Sequence, residues 1–599
     1  LRGVSLQKQD AMSLHSTSVD KARPLGDHSA DLRMIMLTAA AIPVGIGAAL
    51  GAWLLIRLIA IATNLFWFGR LSASPTDIAS AHLGLLTVAI PAIGGLLIGL
   101  MARFGSEKIK GHGIPEAIEA ILYGESRLSL KVALLKPLSS AISIGSGGPF
   151  GAEGPIIMTG GAIGSLFAQR FRLSAAERKT LLVAGAAAGM TGIFGTPLAA
   201  ILLAIEVLLF EWKPRSFVPV VTAVLVSFAC RPMLLGSGAL FPFPAVTLDW
   251  WQAASGSLAT GILAGLEAAL LSVALYKVED LFHRLPVHWF WWPALGGIVV
   301  GLGGLIDAHV LGAGYSNIQA LLDGSMTLRV VLALLVVKAV VWLIALGSGT
   351  SGGVLAPLLI LGGALGVALG QFLPGPAGFW AMAGMAGIMS GAMRAPLTGA
   401  FFAVEVTGHF TDLPAMTAAS VGAYAVSVLI MRRSILTEKI ARRGRHILQE
   451  YTVDPLDFLQ AEQVMTPDPE TLPGDMPIRD VVAFFADHAT HRSYPVVDKG
   501  DRLLGLVSRS DALRWQVEGG RLDIPLADIL SDASQPMAYR HSPIGAVADL
   551  MVETGIGRVP IVDPDSGRVV GILSRHDLLK ARGERRRAEF ERERGGATG

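Results

Sequence analysis

Long apolar runs are the strongest constraint on this chain. They cover 34–62, 82–103, 216–228, 289–305, 329–346 and 413–431. A helix needs about 20 mostly apolar residues to cross roughly 30 Å of hydrocarbon. Several runs meet that length, and only 16% of the 599 residues are charged, against roughly 25% for an ordinary soluble domain. The chain therefore reads as a multi-span α-helical membrane protein with the lipid bilayer as its solvent. There are also 70 glycines, and several apolar segments are short or broken by them. Small residues let membrane helices approach closely. Broken helices are tolerated in a membrane only where protein or a water-filled cavity covers the freed backbone groups. That pattern fits a transporter better than an anchor.

Composition divides the sequence. Residues 1–32 form a polar tail without the apolar core of a cleaved signal peptide. Residues 33–445 are the membrane body, with halves of about 33–235 and 250–432. Residues 446–582 have soluble composition, and 583–599 are a charge run expected to be a solvated tail. Cys230 is the only cysteine, so an internal disulfide is excluded. The net charge of +2 gives no footprint for nucleic acid. Arg432, Arg433, Lys439, Arg442, Arg443 and Arg445 follow the last apolar run. Excess Lys and Arg mark cytoplasmic flanks, so the C-terminal region is expected in the cytoplasm and the body in a cell (inner) membrane.

The body is duplicated. GSGGPFGAEGP at 145–155 and GSGTSGGVLAP at 347–357 share Gly145/Gly347, Ser146/Ser348, Gly147/Gly349, Gly151/Gly353 and Pro155/Pro357. The same offset pairs Lys136 with Lys338, a rare cation inside each preceding apolar run. TPLAAILLAIEV (196–207) then matches APLTGAFFAVEV (395–406), pairing Pro197 with Pro396 and Glu206 with Glu405. Repeated halves with Gly/Pro breaks at matching positions point to a midplane binding site. Each break opens a new helix, whose free N–H groups and positive dipole end favour an anion.

GHGIPE at 111–116, GAEGP at 151–155 and GVLAP at 353–357 resemble the three anion-selectivity motifs of the CLC chloride channel and exchanger family. The resemblance covers roughly 33–445. It implies a CLC fold of two inverted halves, a homodimer with one anion pathway per subunit, and helix N-termini aimed at chloride. Carried over by position, the anion ligands are Gly111, His112, Gly113, Ile114, Gly151, Ala152, Gly154, Gly353, Val354, Leu355, Ala356 and Leu436. Glu153 is similar to the family's gating glutamate. A site that holds an anion with N–H donors also holds a carboxylate, and protonation releases it. An acid inside a membrane segment is costly and functional by default.

Four positions depart from the family pattern. His112 replaces a serine that contacts the central chloride. Leu436 replaces a tyrosine that supplies a second contact. Val207 replaces an internal proton-transfer glutamate of many exchangers, and Ala152 an arginine before the gate. Loss of the relay at Val207 inclines the reading toward channel-like conduction. The alternative is a proton-coupled chloride antiporter, or one for fluoride or nitrate. Lys136 is expected to attract anions electrostatically, with snorkelling to an interface as the plain alternative. Glu206 and Glu405 are expected to serve structure or pairing.

After the body, residues 464–515 and 528–581 repeat a unit, with YPVVD…GLVSRSD beside VPIVD…GILSRHD. Short β-rich runs alternate with amphipathic helices, an α+β signal. This resembles a cytoplasmic CBS pair, which implies an adenosine-nucleotide site at Ser508, Asp511, Ser574 and Asp577. No other cofactor is required, and no catalytic or metal set is expected. Gly347, Gly349 and Gly352 satisfy G-x-G-x-x-G but follow a membrane segment rather than a strand, so no dinucleotide site is assigned. A CBS-regulated cation transporter is the competitor of a different class. It would need acidic rings in the membrane breaks, and the breaks offer N–H groups, lysines and one acid.

Overall fold

The computed structural model describes residues 32–244, 248–445, 447, 459–519, 522–530, 536–581 and 583. The expected polar tail, save Leu32, and all but Gly583 of the terminal charge run lie outside the described residues. The chain forms two compact units, one within 28–449 and one within 450–599.

The membrane unit is helical throughout. Its first half runs through α1 (Leu32–Phe68), α2 (Leu86–Phe104), α3 (Ile114–Tyr123), α4 (Leu130–Gly145), α5 (Glu153–Arg170), α6 (Ala175–Phe194), α7 (Pro197–Leu203) and α8 (Pro214–Leu234). Its second half repeats the series as α9 (Trp250–His283), α10 (Trp292–Ile306), α11 (Tyr315–Leu322), α12 (Leu328–Gly347), α13 (Leu355–Gly370), α14 (Ala377–Met393), α15 (Pro396–Thr407) and α16 (Leu413–Ile430). A short helix, α17 (Ile435–Arg442), closes the unit. Seven helical segments among the described residues are long and apolar enough to span a bilayer.

The most buried helices are the glycine-rich ones. In α6 every residue from Thr180 to Phe194 is buried, and in α14 every residue from Gly378 to Met393. Close approach makes this possible. A Cβ at Gly160 or Gly185 would overlap the other's backbone, and Gly362 and Gly384 repeat that contact between α13 and α14. This is small-residue packing, which membrane helices use where no hydrophobic drive between helices exists.

Two acids join the halves. Glu405 on α15 accepts from the backbone N–H of Leu198 (2.9 Å) and Ala199 (2.8 Å) at the start of α7. Glu206, in the π-helical turn Ala204–Leu209 after α7, accepts from Leu397 N–H (3.0 Å), Thr398 N–H (2.8 Å) and the Thr398 hydroxyl (2.6 Å) at the start of α15. Pro197 and Pro396 stand at the first helical position, where no N–H is needed. The acids take the next free donors of the opposite half. Each helix is capped from the far end of the other, so α7 and α15 run antiparallel. Equivalent helices related that way make the repeat inverted. The expected structural role of both acids is thereby given a concrete form.

The C-terminal unit is α+β. Its helices are α18 (Ala461–Val464), α19 (Ile478–Asp487), α20 (Arg509–Glu518), α21 (Leu526–Leu530) and α22 (Ile544–Thr554). Its strands are β1 (Thr466–Pro467), β2 (Leu472–Pro473), β3 (Ser493–Val497), β4 (Leu503–Ser508), β5 (Ala538–Tyr539), β6 (Arg558–Val562) and β7 (Val569–Ser574). They form sheets in the orders β2-β3-β4 and β1-β7-β6-β5. β1 pairs antiparallel with β7, so a strand from the first sequence repeat completes the sheet of the second. The register of β3 on β4 matches that of β6 on β7, including a shift at Val496/Val497 and at Ile561/Val562.

Candidate anion site

Three glycine-rich breaks converge in the membrane unit. Gly353 N–H donates to the Gly151 carbonyl (2.8 Å), and Gly151 N–H returns a bond to the Gly353 carbonyl (3.3 Å). Gly111 N–H donates to the Thr350 carbonyl (3.1 Å). Gly111 and Gly113 have φ of +77° and +88°, a region where side chains are disfavoured. Gly113 ends the break, and α3 begins at Ile114 with Pro115 in its first turn. α5 begins at Glu153, and α13 at Leu355 after Val354. The starts of α3, α5 and α13 therefore lie together. A Cβ on Gly154 would overlap the His112 carbonyl, and its next nearest neighbour is the Gly353 Cα at 3.4 Å.

Glu153 occupies the junction. It is fully buried, and neither carboxylate oxygen has a hydrogen bond. The backbone N–H groups of Glu153 itself and of Ala356 face the carboxylate. A Cβ on Gly151 or Gly353 would overlap the carboxylate, so it lies in the space those missing side chains leave. A buried carboxylate with no well-formed hydrogen bond is expensive. It marks a place where an anion or a proton belongs.

Cavities lie on two sides of this junction, and Glu153 lines neither. One of about 620 Å³ is bordered by Gly111, His112, Glu116, Lys439 and Arg443. Another of about 500 Å³ is bordered by Ala152, Ile144, Arg231, Gly314 and Tyr315.

His112 is 2% exposed, and both ring nitrogens are without a partner. Lys136 is fully buried, and its ammonium donates to the carbonyls of Ile109 (2.8 Å) and Gly111 (2.6 Å) and to Ser351 Oγ (3.1 Å). Its charge stands near His112, but its donors are spent on closing the first break. Snorkelling to an interface does not describe it. Lys338 does the same in the other half, on the carbonyls of Val310 (2.8 Å) and Gly312 (3.1 Å). Leu436 is fully buried in the first turn of α17 and carries no donor.

Three residues escaped the sequence reading. Tyr315 opens α11, and its hydroxyl is buried without a partner near Glu153. Its signal was a third repeat, GHGIPEAI at 111–118 beside GAGYSNIQ at 312–319. Glu116 and Lys439 form an ion pair of 3.1 Å beside Gly111. Glu116 is a letter of the first motif, but nothing in the sequence ties Lys439 to it.

In the C-terminal unit, Asp511 Oδ2 accepts from Ser508 N–H (3.0 Å) and Oγ (2.6 Å), and Asp577 Oδ2 from Ser574 N–H (2.8 Å) and Oγ (2.7 Å). Ser508 and Asp511 form the capping box of α20. Arg514 takes the second oxygen of Asp511 at 2.7 Å. These residues pair with one another within each repeat.

Three helix starts from inverted halves thus meet around a buried carboxylate, an arrangement suited to an anion. The family described as "Voltage gated chloride channel" matches residues 94–428, and CBS domains match 461–518 and 527–584. The chain belongs to that chloride channel family. A curated relative, "Voltage-gated ClC-type chloride channel ClcB" of Salmonella typhi, is 32% identical over 366 residues, 59% of this chain and 86% of the relative. Two solved structures share the fold. A slow cyanobacterial Cl−/H+ antiporter has a TM-score of 0.61 at 24% identity, covering 69% of this chain and 99% of that one. A eukaryotic CLC transporter has a TM-score of 0.58 at 19% identity, covering 91% and 98%.

Proposed function

We propose that this chain carries chloride across a cell (inner) membrane in exchange for protons, with Glu153 as both gate and proton carrier. The observation that carries the reading is the Glu153 carboxylate, fully buried between Gly151 and Gly353 where three helix starts meet. Chloride and a carboxylate compete for one set of helix N-termini. Protonation removes the competitor, so each opening of the path is linked to a proton.

The channel-like reading rested on Val207. A relative named as a chloride channel supports chloride as the ion. A solved structure of the same fold is named as a Cl−/H+ antiporter, which favours exchange as the mode. Val207 is buried and cannot relay a proton. The inner proton must then reach Glu153 by water or by titratable groups of the 620 Å³ cavity, where His112 and Glu116 stand. The cavity beside Lys439, Arg443 and Arg445 is the cytoplasmic one, by the excess of cations after α16. The C-terminal CBS pair is then cytoplasmic too. The protein acts as a homodimer in which each subunit holds its own path, because all three breaks come from one chain. An adenosine nucleotide would bind the CBS pair as a regulator, and the second oxygen of Asp577 is its best opening.

The test is proton uptake by liposomes driven by a chloride gradient. Wild-type protein should acidify the lumen as chloride leaves, whereas Glu153→Ala should pass chloride without moving protons. Chloride flux with no proton movement in the wild type would return the channel reading to first place.

A further inference from the structure

The serine and tyrosine hydroxyls expected to hold the central anion are replaced by His112 and Leu436, and leucine has no donor. Something else must complete that end of the path. Lys439 lies one helical turn beyond Leu436 on α17. A Cβ on Gly111 would overlap its Nζ, so the ammonium covers the backbone of the first break. It reaches there because α17 is held against the membrane body by buried Ile435, Leu436 and Ile440 and by the Tyr276 hydroxyl, which donates to the Ile435 carbonyl (2.6 Å). Its side chain is 17% exposed and lines the 620 Å³ cavity together with His112.

An ammonium has three donors. Lys439 pairs with Glu116 Oε1 at 3.1 Å, an oxygen it shares with Arg443, also at 3.1 Å. Glu116 Oε2 is buried without a partner, as are both nitrogens of His112. The charged groups that bear on His112 are Lys439, Lys136 and Arg443 against Glu116. Three cations and one acid leave a positive excess around a buried imidazole with no hydrogen bond. A cation there would be repelled, and a neutral solute would not use the excess. A small monovalent anion fits, accepting from the imidazole N–H and the ammonium at once.

We propose that Lys439 and His112 are the side-chain ligands of the anion at the inner end of the path, with Glu116 as a tethered competitor for Lys439. This rests on the transport reading above and adds to it the residues that set anion affinity and preference. The path would then carry two carboxylates, Glu153 at the junction and Glu116 beside the ammonium in the 620 Å³ cavity, and the anion displaces each in turn.

The experiment is chloride binding to the purified full chain by titration calorimetry with sodium chloride, with chloride and nitrate efflux from liposomes in parallel. Lys439→Met should weaken chloride binding at least about tenfold, the effect of losing one charge-assisted hydrogen bond, and should change the chloride-to-nitrate ratio. Lys439→Arg keeps the unit charge and should stay within about threefold of wild type, and Glu116→Gln should tighten binding by freeing the ammonium. Binding within twofold of wild type in Lys439→Met overturns the proposal, as does equal loss in the Met and Arg variants, which would mean packing alone. If Lys439→Met does not assemble, His112→Ala carries the same test, with tenfold weaker binding supporting the proposal and unchanged binding overturning it. Wild-type protein without chloride flux would refute the transport reading itself. Normal wild-type flux with insensitive variants refutes only the ligand assignment.

Discussion

Replacing Glu405 by alanine should destabilise the membrane unit by about 2–4 kcal/mol. The magnitude follows from the donors released. Glu405 accepts from two N–H groups, those of Leu198 and Ala199. A hydrogen bond to a charged group contributes roughly 1.5–3 kcal/mol, and an orphaned buried donor loses about as much. Ala199 is fully buried, so its N–H should lose the full amount. Leu198 is 44% exposed, so its N–H recovers part of the loss. At roughly 2–4 °C per kcal/mol for a mid-sized domain, the melting midpoint in detergent should fall by about 5–10 °C. Glu405→Gln keeps one acceptor oxygen and should fall about half as far. The assay is thermal unfolding of the purified protein followed by tryptophan fluorescence, with chloride efflux of the surviving protein measured at low temperature. Efflux per folded molecule should be retained, since Glu405 touches neither the breaks nor the cavities. An Ala variant melting within about 1 °C of the parent would refute reciprocal capping as the joint between the halves. A stable variant that has lost efflux would give Glu405 a part in transport that the geometry does not provide.

Other consequences are as direct. Glu206→Ala releases three donors and should lower the midpoint at least as far as Glu405→Ala. Gly151→Ala places a Cβ where the Glu153 carboxylate lies, so it should displace the gate and flatten the pH dependence of chloride efflux. An unchanged pH profile would mean that the carboxylate does not rest there during transport. Lys136→Met removes bonds to Ile109, Gly111 and Ser351, and efflux should fall at least about tenfold with a lower melting midpoint. Loss of efflux at an unchanged midpoint would instead assign Lys136 to pore electrostatics. Asp577→Ala should weaken nucleotide binding to the CBS pair more than Asp511→Ala, whose second oxygen Arg514 already holds. Calorimetry with ATP reads the difference.

The membrane body was legible where the chain is uniformly apolar. Runs such as 82–103 and 329–346 became α2 and α12. α9 (Trp250–His283) was passed over although a membrane-length stretch of it is as apolar as α2. α6 and α14 escaped for the opposite reason. They are buried inside protein rather than facing lipid, so alanine and glycine replace large apolar residues. The duplication could be read because the breaks tolerate few residues besides Gly and Pro. Its third member at 312–319 was missed because Gly312 and Gly314 are all it shares, position by position, with 111–118. Lys136 was legible as a rare cation inside an apolar run, but its carbonyl acceptors lie 25 and 27 residues back. Only the fold brings them together. Lys439 looked like one cation of a juxtamembrane cluster, and its place over Gly111 depends on the angle at which α17 leaves the body. β1 crosses to the sheet of the other repeat, which no local pattern encodes.

The proposed exchange requires that the Glu153 carboxylate both close the path and carry the proton. Its most direct test is the reversal potential of the wild-type protein in a planar bilayer, under a chloride gradient and an opposed pH gradient. Coupled exchange predicts a potential displaced from the chloride Nernst value, moving further as the pH gradient grows. A potential that stays at the chloride Nernst value whatever the pH gradient would contradict it.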